Sequence, residues 1–538
     1  MDNHLNKITI IGGGSAGWMT ASTLVKQFPE LNVTLVESPN IPIAGVGEST
    51  IAGINEWMNL IGVEDKDFMK ATDATYKLSI KFNNFYKKGE GFHYPFSFPY
   101  TADTTLGVND WHIKKMVYPE TPNSDYADSF YSIMALVNQN KFDKNLDDKI
   151  PYYKYGQSTA YHFDATKFGL WLRDNICLPA GLKHITSEVK HIKTDEVKGI
   201  HSIELENGLV IMGDLFIDCT GFRSLLMDKT LKVPFESFEY MLPNNRAWAT
   251  RIPYTNKEEE MVPYTDSTAL GNGWVWRIPL WSRMGTGYVY SDKHVTPEEA
   301  LEEFKDHLKS LGTDTTNLEY KDLKMRVGIH ERTWHKNCVA IGLSAGFIEP
   351  LESNGLYTVH KFLVELCRTL LRCRDGLDKT ISVSQYDKTI YNTTTKKLFK
   401  EFATFVAMHY ALTRRRDTKY WNDCFNREYD PNPLDENISQ VYGFKNFGID
   451  KMIAREFHLS GGFPCIASGM GYNAIDEVVQ KTGTLFTGPG SESLSWETCK
   501  KIADKLSRNP QRWEEATKRC LSHYEYLRTT IYRDDSDA

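Results

Sequence analysis

Gly12, Gly14 and Gly17 form a G-x-G-x-x-G run close to the start of the chain. Glycines at this spacing do one specific job. The first two permit a tight turn and close backbone approach to a pyrophosphate, and the third lets the next helix pack against the preceding strand. The helix N-terminus then offers free N–H groups and the positive end of its dipole. The elements this needs are present in order. Lys7-Ile-Thr-Ile-Ile11 alternates as a buried β-branched strand; Trp18, Ala21, Val25 and Phe28 share one helix face; residues 33–37 read as a second strand. Glu37 ends that strand where a carboxylate accepts hydrogen bonds from a ribose diol. The pattern predicts a dinucleotide-binding βαβ unit.

Two later segments repeat the motif of an apolar strand that ends in glycine. Residues 214–221 end in Thr-Gly after a hairpin-like stretch at 203–211, and residues 337–346 end in Ser-Ala-Gly. Three such strands, spread over so much chain, point to FAD bound along its length rather than to a compact nicotinamide unit. The later two also read as ordinary buried strands.

The bulk properties exclude several classes. Lys and Arg total 63 against 70 Asp and Glu, a net charge of −7, so the chain lacks the basic excess of a nucleic-acid binder. With 41% apolar residues among 538, the chain can bury a large core, and disorder is excluded for its bulk. The longest apolar stretches, such as 339–348, are about half a membrane span. Residues 1–7 carry no apolar h-region. We therefore expect no membrane partner, no secretory signal and a cytoplasmic location. Nine scattered cysteines without a C-x-x-C pair suit a reducing compartment and predict neither a zinc site nor any other metal.

Several motifs together resemble one family. Gly271-Asn-Gly-Trp-Val-Trp-Arg-Ile-Pro279 contains a W-x-W-x-I-P signature at Trp274, Trp276, Ile278 and Pro279. Gly45-Val-Gly-Glu-Ser-Thr50 is similar to a strap-forming G-V-G-E-[AS]-T segment, and Ala345-Gly-Phe-Ile-Glu-Pro-Leu-Glu-Ser-Asn-Gly355 to G-F-x-E-P-L-E-S-T-G. Ala74-Thr-Tyr-Lys-Leu-Ser-Ile-Lys-Phe82, His409-Tyr410 with Arg416-Asp-Thr-Lys-Tyr-Trp421, and Gly469-Met-Gly-Tyr472 extend the likeness. In combination they resemble the flavin-dependent halogenases of the tryptophan-halogenase type, over about residues 5–475. The resemblance implies FAD, supplied as FADH2 by a separate flavin reductase, with O2 and a halide (chloride or bromide) as co-substrates. Hypohalous acid made at the flavin then reaches an electron-rich indole or phenol through a tunnel. A flavin monooxygenase that hydroxylates a small aromatic is the alternative.

Site roles follow from the same resemblance. Lys77 matches the lysine that holds and aims hypohalous acid; by pattern alone it reads as a solvated residue beside Lys81. Glu352 matches a carboxylate that works with the lysine and accepts the proton of the arenium intermediate, with Ser353 in support. By pattern alone Glu352 is an acidic residue at a helix start after Pro350. Backbone N–H groups of Asn354 and Gly355 match the halide site, although Asn354 stands where the family commonly has Thr. Cofactor contacts are implied at Ser15, Ala16, Gly47, Glu48, Ser49, Val189, Leu343 and Leu356, beside Gly12, Gly14, Gly17 and Glu37. Trp274, Trp276, Ile278 and Pro279 shape the cavity. Tryptophan-specific members usually carry His-Pro-Phe where this chain has Tyr94-Pro95-Phe96. Phe92, Tyr94, Phe96, Phe98 and Tyr100 read either as a pocket wall or as a buried strand face.

The expected fold is α/β: a Rossmann-like FAD body at 1–360, with a polar, turn-rich insertion at about 101–150, and a mostly helical subdomain at 361–538 that covers the substrate site. Arg414, Arg415 and Arg416 read as part of a solvated helix face. A homo-oligomer is left open.

Overall fold

A computed structural model describes residues 4–40, 48–105, 107–147, 149–427, 462–471, 485–486 and 493–533. The expected Gly47 and Tyr472 lie outside the described residues.

The glycine-ended strands all enter one six-stranded sheet. Its order is Lys183–Thr186, Asn32–Glu37, Lys7–Ile11, Leu215–Asp218, Cys338–Ala340 and Trp334–His335; the first five are parallel and the last pairs antiparallel. Ile8, Ile10, Leu35, Ile217 and Val339 are buried, which explains why these strands read as continuous apolar runs. The Ser15–Gln27 helix packs on the sheet through Trp18, Ala21 and Phe28, as its periodicity predicts. Gly12 has φ +114°, and a Cβ there would overlap the carbonyl of Cys219 on the neighbouring strand. A Cβ on Gly17 would overlap the carbonyl of Gly12. Both positions demand glycine for packing as well as for any ligand.

A second sheet has seven strands, in the order Lys321–Lys324, Arg246–Ile252, Met284–Tyr290, Gly273–Pro279, Tyr264–Ala269, Ser79–Asn83 and Gly91–Pro95. Only Tyr264–Ala269 and Ser79–Asn83 run parallel. Between the two large sheets lies a three-stranded one, Glu48–Ser49, Ala160–Phe163 and Thr75–Lys77. Its register sets His162 opposite both Ser49 and Thr75, and Ala160 opposite Lys77.

The segment expected to be polar and turn-rich forms the helices Asp110–Val117, Asp125–Phe130 and Met134–Asn138. Its turn residues mark the helix ends, while Trp111, Tyr126, Phe130 and Leu136 point inward and are buried. The C-terminal helices pack on this insertion: Ile113 and Met116 meet Cys499 and Ile502, and Leu521–Ser522 pairs with Lys141–Phe142. Residue 360, the expected boundary, falls inside the helix Gly355–Arg372. Arg415 is also no solvated helix residue. It follows the Gln385–Ala411 helix, is buried, and pairs with Asp417 through two bonds of 2.9 Å while stacking on Trp421. No described helix is long and apolar enough to cross a membrane.

Gly12→Ala should cost about 2–4 kcal/mol, from a strained left-handed backbone and a clash with Cys219. Denaturant unfolding should show the loss in the absence of any flavin.

Candidate active site

Lys77 closes the Thr75–Lys77 strand and is 0% exposed, not the solvated lysine its neighbourhood in sequence suggests. Its Nζ donates to the Thr50 carbonyl at 2.8 Å and to Ser353 Oγ at 2.7 Å, and lies 4.8 Å from the centre of the Phe96 ring. Burial pulls its pKa well below the usual lysine value; the nearby Glu352 charge opposes that pull. An amine held in such a place is an immobile hydrogen-bond donor.

Ser353 reaches Lys77 because of a local backbone feature. Pro350–Glu352 is a 3₁₀ turn, and Ser353 ends it in the left-handed region at φ 58°. That reversal starts the Gly355–Arg372 helix, whose buried face carries Leu356, Val359, His360, Leu363 and Leu366 as its spacing predicts. Asn354 is the N-cap yet makes no side-chain cap; its Nδ2 donates instead to the Ile348 carbonyl at 3.0 Å. The first turn of an 18-residue helix is thus left with uncapped N–H groups beside the buried lysine.

Glu352 is 1% exposed. Burial raises its pKa, against the opposing pull of His409 and Lys77. His409 Nε2 stands 3.0 Å from Glu352 Oε1, at ion-pair distance but out of hydrogen-bond alignment. His409 Nδ1 is 3.1 Å from the Val406 carbonyl, which can only accept, so Nδ1 carries the proton. His409 falls in the His409-Tyr410 motif, which carries no role from sequence, and nothing local marks it as the partner of Glu352.

Around this pair lies an aromatic wall. Tyr94 meets Phe96 and Phe405 edge-on at 5.7 and 5.8 Å, and Phe405 meets Phe463 at 5.1 Å. Phe92 and Phe96 are buried, but Phe98 is 62% exposed and Tyr100 bonds Asp103, because the strand ends at Pro95. Trp274 and Trp276 share a face, 6.1 Å apart. Trp274 Nε1 donates to Glu349 Oε2 at 3.3 Å, and Asn244 Nδ2 donates to the same oxygen at 2.6 Å. The W-x-W strand is thereby tied to the turn that carries Glu352. The Pro279 carbonyl accepts from Thr75 Oγ1 at 2.6 Å, two residues before Lys77, and Ile278 is buried.

The glycine turn fits a dinucleotide. A Cβ at Gly14 would meet nothing within 4 Å, and the Ser15–Gln27 helix has neither a side-chain cap nor an acid in its first turn. Space and free N–H groups coincide there, as an anion requires. Glu37 sits at the same edge of the sheet, bonded to His184 at 2.7 Å, and its carbonyl accepts from Ser187, two residues before Val189. Gly342 packs against Ala16 and leads into a half-exposed Leu343. Ser15 Oγ is engaged with the Ala165 carbonyl. Glu48 is half-buried, with Oε2 3.1 Å from where a Cβ on Gly355 would stand. Burial and the charge of Asp164 raise its pKa to about 7.

A parallel sheet whose glycine turn fits a dinucleotide, joined to a buried lysine and carboxylate, is the layout of a flavin enzyme. The family model for tryptophan halogenases matches residues 7–482, and the chain belongs to that family: it is a flavin-dependent halogenase. It is 31% identical over 497 residues to the tryptophan 6-halogenase ThaL of Streptomyces albogriseolus, covering 88% of this chain and 90% of that one. It is 34% identical over 461 residues to the tryptophan 6-halogenase SttH of Streptomyces toxytricini, covering 81% and 83%. The solved apo structure of VirX1 superposes with a TM-score of 0.88 at 37% identity, covering 98% of this chain and 99% of that one.

Lys77→Met keeps the volume and removes the buried charge. Its unfolding free energy should fall by about 3–5 kcal/mol, because the buried Glu352 loses its cation and the Thr50 carbonyl loses its donor. Urea titration of both proteins checks this.

Proposed function

We propose that this halogenase uses Lys77 and Glu352 to deliver hypohalous acid to an electron-rich aromatic ring of indole or phenol type. The observation that carries the reading is the fully buried Lys77 ammonium, bonded to the residue that follows Glu352, under a wall of aromatic rings. FAD, received as FADH2 from a separate reductase, supplies with O2 the oxidation of the halide. The chain's residues do the rest. N–H groups of Asn354 and Gly355 hold the halide at the uncapped helix start. Lys77 donates to the oxidised halogen species and fixes where its electrophilic end points. Tyr94, Phe96 and Phe405 confine the aromatic ring. Glu352, whose pKa burial raises against the opposing pull of His409 and Lys77, removes the arenium proton. His409 Nε2 stands 3.0 Å from Glu352 Oε1. Trp274 and Trp276 keep the cavity's form. A cytoplasmic location suits an enzyme that depends on a soluble reductase.

Incubation with FAD, a flavin reductase, NADH and either chloride or bromide, over a panel of indoles and phenols, should give products heavier by one halogen for hydrogen exchange. Products heavier by one oxygen, regardless of halide, would instead identify a hydroxylating monooxygenase. Lys77→Ala should abolish the halogenated product while FAD binding is retained.

Glu48 sets a pH dependence for the halide step. Its carboxyl is neutral below about pH 7 and anionic above it, and its Oε2 lies 3.1 Å from where a Cβ on Gly355 would stand, close to the proposed halide site. Halide affinity should therefore weaken as pH rises through 7. In Glu48→Gln that step should vanish, as read from the bromide concentration giving half-maximal product at pH 6 and 8.

A further inference from the structure

Behind Lys77 an unbroken line of hydrogen bonds runs into the protein and away from the aromatic wall. Lys77 Nζ donates to Ser353 Oγ at 2.7 Å, and Ser353 Oγ donates to Ser49 Oγ at 3.0 Å. Ser49 Oγ is 2.6 Å from Thr265 Oγ1, which is 2.9 Å from His162 Nε2. On the other side of the ring, His162 Nδ1 is 3.1 Å from Thr75 Oγ1, and Thr75 Oγ1 donates to the Pro279 carbonyl at 2.6 Å. All six side chains are buried.

The direction of every bond follows from the two ends. A carbonyl can only accept, so the Thr75 proton goes to Pro279, and Thr75 Oγ1 accepts from His162 Nδ1–H. With Nδ1 protonated, neutral His162 presents a bare lone pair at Nε2, and Thr265 donates to it. Thr265 then accepts from Ser49, Ser49 from Ser353, and Ser353 from Lys77. Each hydroxyl gives one proton forward and takes one from behind. Chance packing leaves some hydroxyls pointing either way; here both ends impose a single sense.

We propose that His162 is the proton acceptor of Lys77, reached through Ser353, Ser49 and Thr265. The inference rests on Lys77 being the delivering amine. In the step, one Lys77 N–H bond breaks as an O–H bond forms on Ser353. The Ser353 proton passes to Ser49, the Ser49 proton to Thr265, and the Thr265 proton to His162 Nε2. The ammonium becomes a neutral amine and the imidazole an imidazolium that keeps its Nδ1–H on Thr75; no atom is lost and no water is needed. The reverse shift restores the ammonium. The charged groups facing this line are few: Glu352 opposes Lys77, and His162 feels Lys77 and His523. Burial, with the charges of Lys77 and His523, holds His162 well below the usual histidine range, so its Nε2 is bare at rest and the imidazolium is a transient that returns its proton to Lys77. Lys77 can thus change charge inside a closed cavity, without opening it to water. His162 and Thr265 touch no substrate and are positioning residues.

The test uses the full-length enzyme with FAD, a flavin reductase, NADH and bromide. Thr265→Val keeps the shape and cuts the line; Thr265→Ser keeps the hydroxyl. The valine variant should lose about a hundredfold or more in halogenation rate, the scale of a positioned proton transfer, with FAD affinity unchanged. The serine variant should stay within about threefold of the parent. The dependence of rate on deuterium fraction should be curved in the parent and the serine variant, as several protons move together, and straight in the valine variant. His162→Gln, which keeps hydrogen bonds but takes no proton, should behave like Thr265→Val and serves if the latter misfolds. A valine variant equal to the parent, or serine and valine variants that fall together, overturns the relay. A Lys77→Ala variant that still halogenates overturns the underlying reading, and the relay with it; an inactive Lys77→Ala beside an unaffected Thr265→Val overturns the relay alone.

Discussion

Holding an ammonium out of water is the constraint on which this architecture turns. Removing such an ion from solvent costs several kcal/mol even after the protein relaxes, and Lys77 is wholly removed. The Thr50 carbonyl, Ser353 Oγ and the Phe96 face offset that cost, with the Glu352 charge nearby. These groups come from the residue after the Glu48–Ser49 strand, the second sheet's edge and the turn before the long Gly355–Arg372 helix. Each must arrive at one point for the ion to be tolerated, so the sheets and the turn are coupled through it. The burial of the lysine and the closure of the fold are the same problem.

The outer parts of that arrangement were legible in sequence. The Lys7–Ile11 strand, the glycine turn and the first helix obey local rules: period two, then glycine, then period 3.6. The two later glycine-ended strands join the same parallel sheet because continuous apolar runs suit strands covered on both faces. Trp274 and Trp276 were placed on one face by alternation alone, and they share it. Lys77 and Glu352 were different. Spacing made one a surface lysine and the other a helix-start acid; only the resemblance of their motifs brought them together.

What sequence did not disclose were relations between distant side chains. His409 lies beside Glu352 because a 27-residue helix crosses the turn, and no periodicity encodes that crossing. His162 acquires its meaning from strand register, opposite Ser49 and Thr75. The insertion was misread for a related reason. Asp, Asn and Thr at its helix ends dominate its composition, while Trp111, Tyr126 and Phe130, which decide its packing, are fewer. Arg415 likewise gives up solvent for Asp417 and Trp421, a partnership invisible in a run of three arginines.

The helix Gly462–Gly469 lies against the aromatic wall with almost no side chain at its first residue. A Cβ on Gly462 would stand 2.5 Å from the Phe405 ring and 3.0 Å from Tyr94. The two rings therefore occupy the volume that any larger residue there would claim. Even a single methyl group at that position would force both rings to shift, so the shape of the wall is set in part by a helix that carries no side chain where it meets them.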